Sequence, residues 1–101
     1  MTDIELEALR ALSSIKEHVE VHKSSSFVVY RETEDGRTLR VSVEVLDQGP
    51  DANLFARYAC RATAENGRFA TGNPSDSVYG AIRHVHWKEL DGIVDLTQTI
   101  R

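Results

Sequence analysis

Hydrophobic and polar positions near the start of the chain recur with the period of an α-helix. One side of a helical wheel collects Ile4, Ala8, Leu12, Ile15 and Val19, while charged residues lie at its margins or beyond them. Thr2 and Glu5 have the spacing at which two side chains cap each other's backbone donors. The pattern therefore predicts a helix that begins near Thr2 and buries this apolar stripe.

After Ser24-Ser25-Ser26 the period changes to two, which is typical of strands. Residues 27–32 and 37–46 are rich in β-branched and aromatic side chains and are joined through Asp35-Gly36, so they predict a hairpin. A two-residue turn would place Val28 and Tyr30 opposite the valines of the second strand, and Arg31 opposite Arg40. A three-residue bulged turn would instead point Phe27 and Val29 inward. We prefer the two-residue turn.

A third strand is predicted over residues 54–63, followed by an Asn66-Gly67 turn and a short fourth strand around Phe69. A two-residue turn at this site predicts which side chains face the helices: Tyr58, Cys60, Ala62, Phe69 and Thr71. The opposite face of the third strand would then carry Phe55, Arg57, Ala59 and Arg61.

A second helix is predicted from about residue 74 to residue 90. Asn73 is a suitable N-cap, proline is favoured at the first helical position, and Asp76 places negative charge in the first turn. The predicted buried stripe consists of Val78, Ala81, Ile82 and Val85, and Gly92 is a suitable stop. We therefore expect an α+β fold of the order αβββ(β)α, an antiparallel sheet of three or four strands with both helices on one face.

From residue 3 to residue 90 this order resembles that of double-stranded-RNA-binding domains. The resemblance implies a similar topology. Such domains grip phosphates with lysines at the start of their second helix, whereas Asn73-Pro74-Ser75-Asp76-Ser77 stands there in this sequence. The phosphate-gripping lysines of the family are thus absent.

Length and composition limit the remaining alternatives. A chain of 101 residues with 41% hydrophobic and 28% charged residues is expected to form one domain, over residues 1–92, with a tail over residues 93–101. The sequence shows no signal-peptide pattern and no apolar run of membrane-spanning length, so we expect a cytoplasmic protein without a membrane partner. The net charge is -4, but basic residues outnumber acidic ones between residues 54 and 90. An anion-binding surface would therefore lie in the second half.

No residue pattern predicts catalysis, a metal or a cofactor. His18 and His22 have a spacing that can place two imidazoles on one metal, but no third ligand accompanies them. His84 and His86 would point to opposite sides of a helix. Cys60, the only cysteine, is expected to face the core, where its thiol pKa would be raised. We therefore predict that the chain is not an enzyme.

Two surfaces are candidates for binding. The first is the outward face of the sheet, where the preferred registers gather Phe27, Val29, Arg31, Arg40, Phe55, Arg57 and Arg61 beside Glu44. The second is the back of the second helix, where Trp87 would share one side with Gly80 and Arg83. Alternatively, Ile93, Val94 and Leu96 fold back over Trp87, or a shorter helix removes this patch.

These surfaces predict a small non-catalytic binding or regulatory module that acts through protein contacts, with a homodimer as one form. The protein-binding candidates are Trp87, Arg83, Gly80, Phe55 and Phe27. An alternative is a nucleic-acid-binding protein that uses Arg31, Arg40, Arg57 and Arg61, since guanidinium groups beside aromatic rings suit single-stranded nucleic acid. A third alternative is an enzyme with an unfamiliar site, which would require a pocket.

Overall fold

The computed structural model describes residues 1–91, and the predicted stop at Gly92 and tail over 93–101 lie outside this range. Two α-helices flank four strands: α1 (Asp3–Ser13), β1 (Lys23–Glu32), β2 (Thr38–Asp47), β3 (Tyr58–Ala64), β4 (Phe69–Thr71) and α2 (Val78–Arg83). Short 3-10 turns occur at Leu54–Ala56 and Trp87–Leu90. The strands form one antiparallel sheet in the order β1-β2-β3-β4. The predicted α+β class is confirmed.

The first helix begins where the sequence predicts and ends early. Thr2 and Glu5 form the predicted capping box, with reciprocal bonds of 2.9 and 3.1 Å between backbone and side chain. Ser13 Oγ donates to the carbonyl of Leu9 at 2.7 Å, and such bonds compete with the helical backbone. The helix ends at Ser13.

The predicted apolar stripe of α1 is wrong. Ile4 is 80% exposed and Val19 is 96% exposed, while Leu9 is 5% exposed. The Leu9 side chain fits against Gly49, where an added Cβ would meet Leu9 Cδ2 at 2.3 Å. The helix is therefore fixed through Leu9 to the loop after β2, on a side that the wheel did not select.

The first hairpin is confirmed, but its preferred register is wrong. Phe27 lies opposite Val43 and Val29 opposite Val41, as in the three-residue alternative. The Thr33 N–H donates to the Arg37 carbonyl at 2.8 Å, which leaves three residues in the loop, with Gly36 at φ 85°. Only glycine adopts this φ readily, and it serves the third loop position as well as a two-residue turn.

The second hairpin repeats this geometry. The Ala64 N–H donates to the Arg68 carbonyl at 2.8 Å, and Gly67 has φ 89°. Thr63 consequently lies opposite Phe69, and Arg61 lies opposite Thr71. Phe69 and Thr71 therefore lie on the outer face, and their predicted place toward the helices is wrong. Tyr58, Cys60 and Ala62 face inward as predicted, since they alternate with this outer set.

The second helix is much shorter than predicted. Tyr58 and Ser75 exchange two backbone bonds of 2.8 and 3.0 Å, so the chain is extended where Asn73 was expected to cap a helix. The N-cap is instead Ser77, whose Oγ accepts from the Gly80 N–H at 2.9 Å. Pairing with β3 thus outweighs the local capping signal.

The core lies between the inner face of the sheet and the segment from α2 to the C-terminal 3-10 turn. Its buried residues are Leu39, Val41, Val43, Val45, Cys60, Ala62, Ala64, Ala70, Ala81, Val85 and Leu90. Val41 and Leu90 are the largest side chains that are completely buried. None of the helices within residues 1–91 is long and apolar enough to cross a membrane.

Candidate functional site: an apolar groove beside the edge strand

An open groove of about 730 Å³ runs along the inner face of β1. We call it the β1 groove. Its floor and walls are formed by Phe27, Val28, Val29, Arg31, Glu32, Val43, Ile82 and Trp87. Phe27 and Val29 point to the same side as the core valines of β2, yet they remain 56% and 41% exposed. Within residues 1–91 the groove is thus a continuation of the core that no element covers.

The groove exists because α2 covers only part of the width of the sheet. An α-helix is about 10 Å wide, whereas four strands spaced by about 4.8 Å extend over roughly 14 Å between the outer two. The six residues of α2 pack against β2 and β3. β1 is therefore left without a covering element among residues 1–91.

Trp87 forms one wall of the groove. It lies in the second 3-10 turn, is partly buried and packs against the core cluster. Its indole Nε1 donates to the carbonyl of Ile82 at 3.1 Å, which fixes the ring beside the helix. The predicted patch on the back of a long helix is wrong, because the helix ends at Arg83 and Trp87 turns toward β1.

A salt bridge fixes one end of the groove. Arg31 Nε donates to Asp91 Oδ1 at 2.9 Å, and the Asp91 side chain is only 10% exposed. Arg37 adds a bond of 3.3 Å from Nη2 to the carbonyl of Asp91. Arg31 therefore holds the last described residue against the inner face of β1. Its predicted position on the outer face is wrong, because the register turns it inward.

Two of the predicted protein-binding residues, Trp87 and Phe27, meet in the groove, and three do not. Arg83 is exposed, lies over the ring of Tyr79 at 5.5 Å and donates to its hydroxyl at 2.7 Å. Gly80 packs tightly, since an added Cβ would meet Ser75 Oγ at 2.2 Å. Phe55 is 75% exposed in the first 3-10 turn, outside the groove. Gly80 therefore offers no approach to a partner.

Three of the four arginines predicted to contact nucleic acid make salt bridges within the chain. Besides Arg31, Arg57 Nε binds Asp47 Oδ1 at 2.8 Å, and Arg61 binds Glu44. Hydrogen bonds from Ser24 and then from Arg61 lower the pKa of Glu44 and keep it ionised. Among residues 1–91 the guanidinium of Arg40 makes no salt bridge. Arg40 therefore differs from the other three arginines, whose guanidinium groups are held in salt bridges.

The outer face of the sheet carries Arg40, as predicted, beside an aromatic ring, Tyr30, that the preferred register turned inward. Tyr30 lies opposite Arg40 on this face and is 68% exposed. Phe69, on β4, is 67% exposed on the same face. The predicted Phe27 and Val29 lie on the other side. This face is thus polar at its centre, with one exposed aromatic ring on each edge strand.

The cysteine and histidines have structural surroundings. Cys60 is 3% exposed, and burial raises the pKa of its thiol. His18 Nδ1 lies 3.0 Å from the carbonyl of Leu12, and His84 Nδ1 lies 2.9 Å from that of Asn73. His22 Nε2 lies 2.8 Å from a carboxylate oxygen of Glu20. Within the described chain no three or more His, Cys, Asp or Glu side chains are grouped as a metal would require.

Comparison with protein-family models, with curated proteins and with solved structures finds no match to this chain. The functional proposal therefore rests on the groove and on the edge strand beside it.

Proposed function

We propose that this chain is a small non-catalytic binding or regulatory module that takes an extended, apolar segment of a protein chain at the β1 groove. The observation that carries the proposal is the half-open apolar face between Phe27 and Trp87. Contiguous apolar surface with a polar rim is typical of protein contact sites. Tryptophan is also enriched among the residues that dominate binding energy at such sites.

The groove favours an extended segment over a helix. It runs beside β1, which is an edge strand, so an incoming strand can bond to the backbone of that edge. Its alternate side chains would then point to the groove side, next to Phe27 and Val29. Backbone bonds supply part of the affinity in this mode, and the apolar groove selects the side chains.

The proposal is tested by selecting peptides from a displayed random library on the immobilised chain. Selected peptides are then titrated into the protein while the fluorescence of Trp87 is recorded. Replacing Phe27 by serine should weaken binding by about tenfold or more, since it removes most of one aromatic contact. Phe27 is 56% exposed, so the fold should tolerate this change.

The matched control is Phe55→Ser, which removes an aromatic ring of similar exposure outside the groove. Its affinity for the selected peptides should equal that of the wild type. Equal losses in both variants, or a selection without enriched sequences, would contradict the proposal.

The second candidate function is nucleic-acid binding at the outer face, and the exposed pair Tyr30 and Arg40 favours it. Bases stack on exposed rings, and a guanidinium that makes no salt bridge within residues 1–91 is suited to phosphate, although the Arg40 backbone N–H donates to the carboxylate of Glu65. The likeness to double-stranded-RNA-binding domains is one of element order only, and the phosphate-gripping lysines of that family are absent. The net charge of -4 opposes this function. No feature of residues 1–91 specifically favours the third hypothesis, an unrecognised enzyme.

Fluorescence anisotropy of labelled single- and double-stranded RNA and DNA tests the second candidate. Binding that weakens steeply with salt and is lost in Arg40→Ala would support it. The matched control is Arg10→Ala, which removes an exposed arginine of α1 that is bonded to Asp51. The absence of binding at low salt would eliminate the candidate.

A further inference from the structure

We propose that the extended segment at the β1 edge is β1 of a second copy of this chain, in antiparallel two-fold pairing. The proposal rests on the proposed use of β1 as a contact surface and names its partner. Two four-stranded sheets would join into one, and the two β1 grooves would meet side by side across the two-fold axis.

The backbone of β1 presents a complete row of pairing groups to this edge. The Thr33 N–H bonds to Arg37 at 2.8 Å, and bonded and non-bonded pairs alternate along an antiparallel ladder. Arg31, Val29 and Phe27 therefore bond to β2. The N–H and C=O groups of the even-numbered residues, from Ser24 to Glu32, point away from the sheet.

The middle of this edge lacks the devices that normally prevent such pairing, and charged residues stand only at its ends, at Lys23, Arg31 and Glu32. Natural edge strands are kept apart by charges, prolines, bulges or a short length. From Ser24 to Tyr30 the strand has no charge, no proline and no glycine. The opposite edge, β4, has only three residues, and the Thr71 carbonyl already accepts from the His86 N–H at 3.3 Å. Among residues 1–91, β4 is thus protected, whereas the middle of β1 is not.

The strand is complementary to itself. A two-fold axis at Val28 places Val28 opposite its own copy, Phe27 opposite Val29, and Ser26 opposite Tyr30. The first half of one strand, with its small serine side chains, then lies opposite the second half of the other, with its larger side chains, on both faces of the sheet. This axis also brings the basic end, at Lys23, beside the acidic end, at Glu32. Moving the axis to Phe27 would instead place Lys23 opposite Arg31, which like charges disfavour.

A pair of charge variants at Val28 tests both the partner and the register. Val28 is 49% exposed, so glutamate or lysine is compatible with the fold. Sedimentation velocity should give a dimer for the wild type, and monomers for Val28→Glu and for Val28→Lys, because like charges would face each other. Mixing the two variants should restore the dimer, since opposite charges then meet at the axis.

Hydrogen exchange provides a second measurement that does not depend on a variant. In a monomer the Val29 amide is protected by β2, and the Val28 and Tyr30 amides exchange freely. Dimerisation should slow exchange at Val28 and Tyr30 as the protein concentration rises.

The matched control for the Val28 variants is Phe69→Lys. It introduces a charge at an exposed position of the other edge strand and should leave the dimer intact.

A wild-type chain that stays monomeric at high concentration would overturn the proposal. Protection of Val28 and Tyr30 without concentration dependence would also overturn it, because the edge would then be covered within one chain. Neither result affects peptide binding in the groove, which is measured separately with Phe27→Ser. Failure of the dimer and failure of the proposed function are therefore distinguishable.

Discussion

Arg31 and Asp91 are separated by 60 positions in the sequence and joined by a bond of 2.9 Å between Nε and Oδ1. The bond ties the edge strand to the end of the second 3-10 turn, where side-chain exposure falls to 27% for Arg31 and 10% for Asp91. Among residues 1–91, α2 packs mainly on β3 and β2. The pair therefore contributes to the shape of the groove.

Asp91→Asn should lower the free energy of unfolding by about 2 kcal/mol, because a charged hydrogen bond is lost where water has limited access. Chemical denaturation measures the change, and a double-mutant cycle with Arg31→Gln isolates the pair. The control is Asp51→Asn, which breaks the exposed bridge to Arg10 and should cost less than about 1 kcal/mol. Equal costs at both sites would contradict the structural role assigned to Asp91.

Gly72→Ala should destabilise the fold through packing. An added Cβ would lie 2.0 Å from the carbonyl oxygen of His84, so the end of α2 would have to move. We expect a loss of about 3 kcal/mol in denaturation experiments.

Gly67→Ala gives the contrasting case. Nothing lies within 4 Å of an added Cβ at Gly67. The expected loss of stability, about 1 kcal/mol, therefore arises from the positive φ alone. Gly67→Asn should recover part of it, since asparagine tolerates this conformation. If Gly72→Ala proved as mild as Gly67→Ala, the close approach of Gly72 to α2 would be wrong.

The Asp47 carboxylate should contribute to stability at neutral pH and lose its contribution in acid. Burial acts to raise its pKa, but bonds from Arg57 and from the Gly49 N–H outweigh burial and lower it below 3.8. The folded state therefore binds its proton less readily than the unfolded state does. The contribution of Asp47 to stability is complete above pH 3.8. It disappears as the pH falls through the lower pKa that the carboxylate has in the folded state.

Urea midpoints of the wild type and Asp47→Asn, measured from neutral to strongly acidic pH, check this expectation. The difference between the two proteins should be largest near neutrality and should shrink in acid. A difference that stays constant over the whole range would show that the charge of Asp47 does not cause it.

Cys60 should react slowly with thiol reagents while the chain is folded. The side chain is 3% exposed, and burial raises its pKa, which reduces the reactive thiolate. We expect modification by a disulfide reagent to be at least about a hundredfold slower than in urea, because the sheet must open first. Rapid modification of the native protein would mean that β3 opens readily.

Local signals in the sequence were sufficient to predict the element order and the two hairpins. The capping pair Thr2 and Glu5, and the loop glycines Gly36 and Gly67, act within a few residues of themselves. The register of the first hairpin is harder to predict than its existence, because a glycine at positive φ fits both a two-residue and a three-residue loop. A change of one residue then moves Phe27, Val29 and Arg31 to the other face.

The groove depends on packing between residues that are far apart in the sequence, which no local pattern predicts. Phe27 and Trp87 were both candidates, but the sequence placed them on different surfaces. Their meeting requires the register of β1 and the early end of α2. The late start of the same helix follows from pairing between Tyr58 and Ser75, whereas Asn73-Pro74 favours a helix start before that pairing. Tertiary pairing decided between the two, and a single sequence does not show which of them is stronger.

The consecutive strand order has a consequence for how the chain folds. Each ladder joins neighbours in sequence, and its loop can close soon after its second strand leaves the ribosome. Contact between Arg31 and Asp91 must wait until nearly all of the described chain has been made. During synthesis the sheet therefore precedes the groove, and β1 is exposed to other nascent chains before its apolar face gains the Trp87 wall.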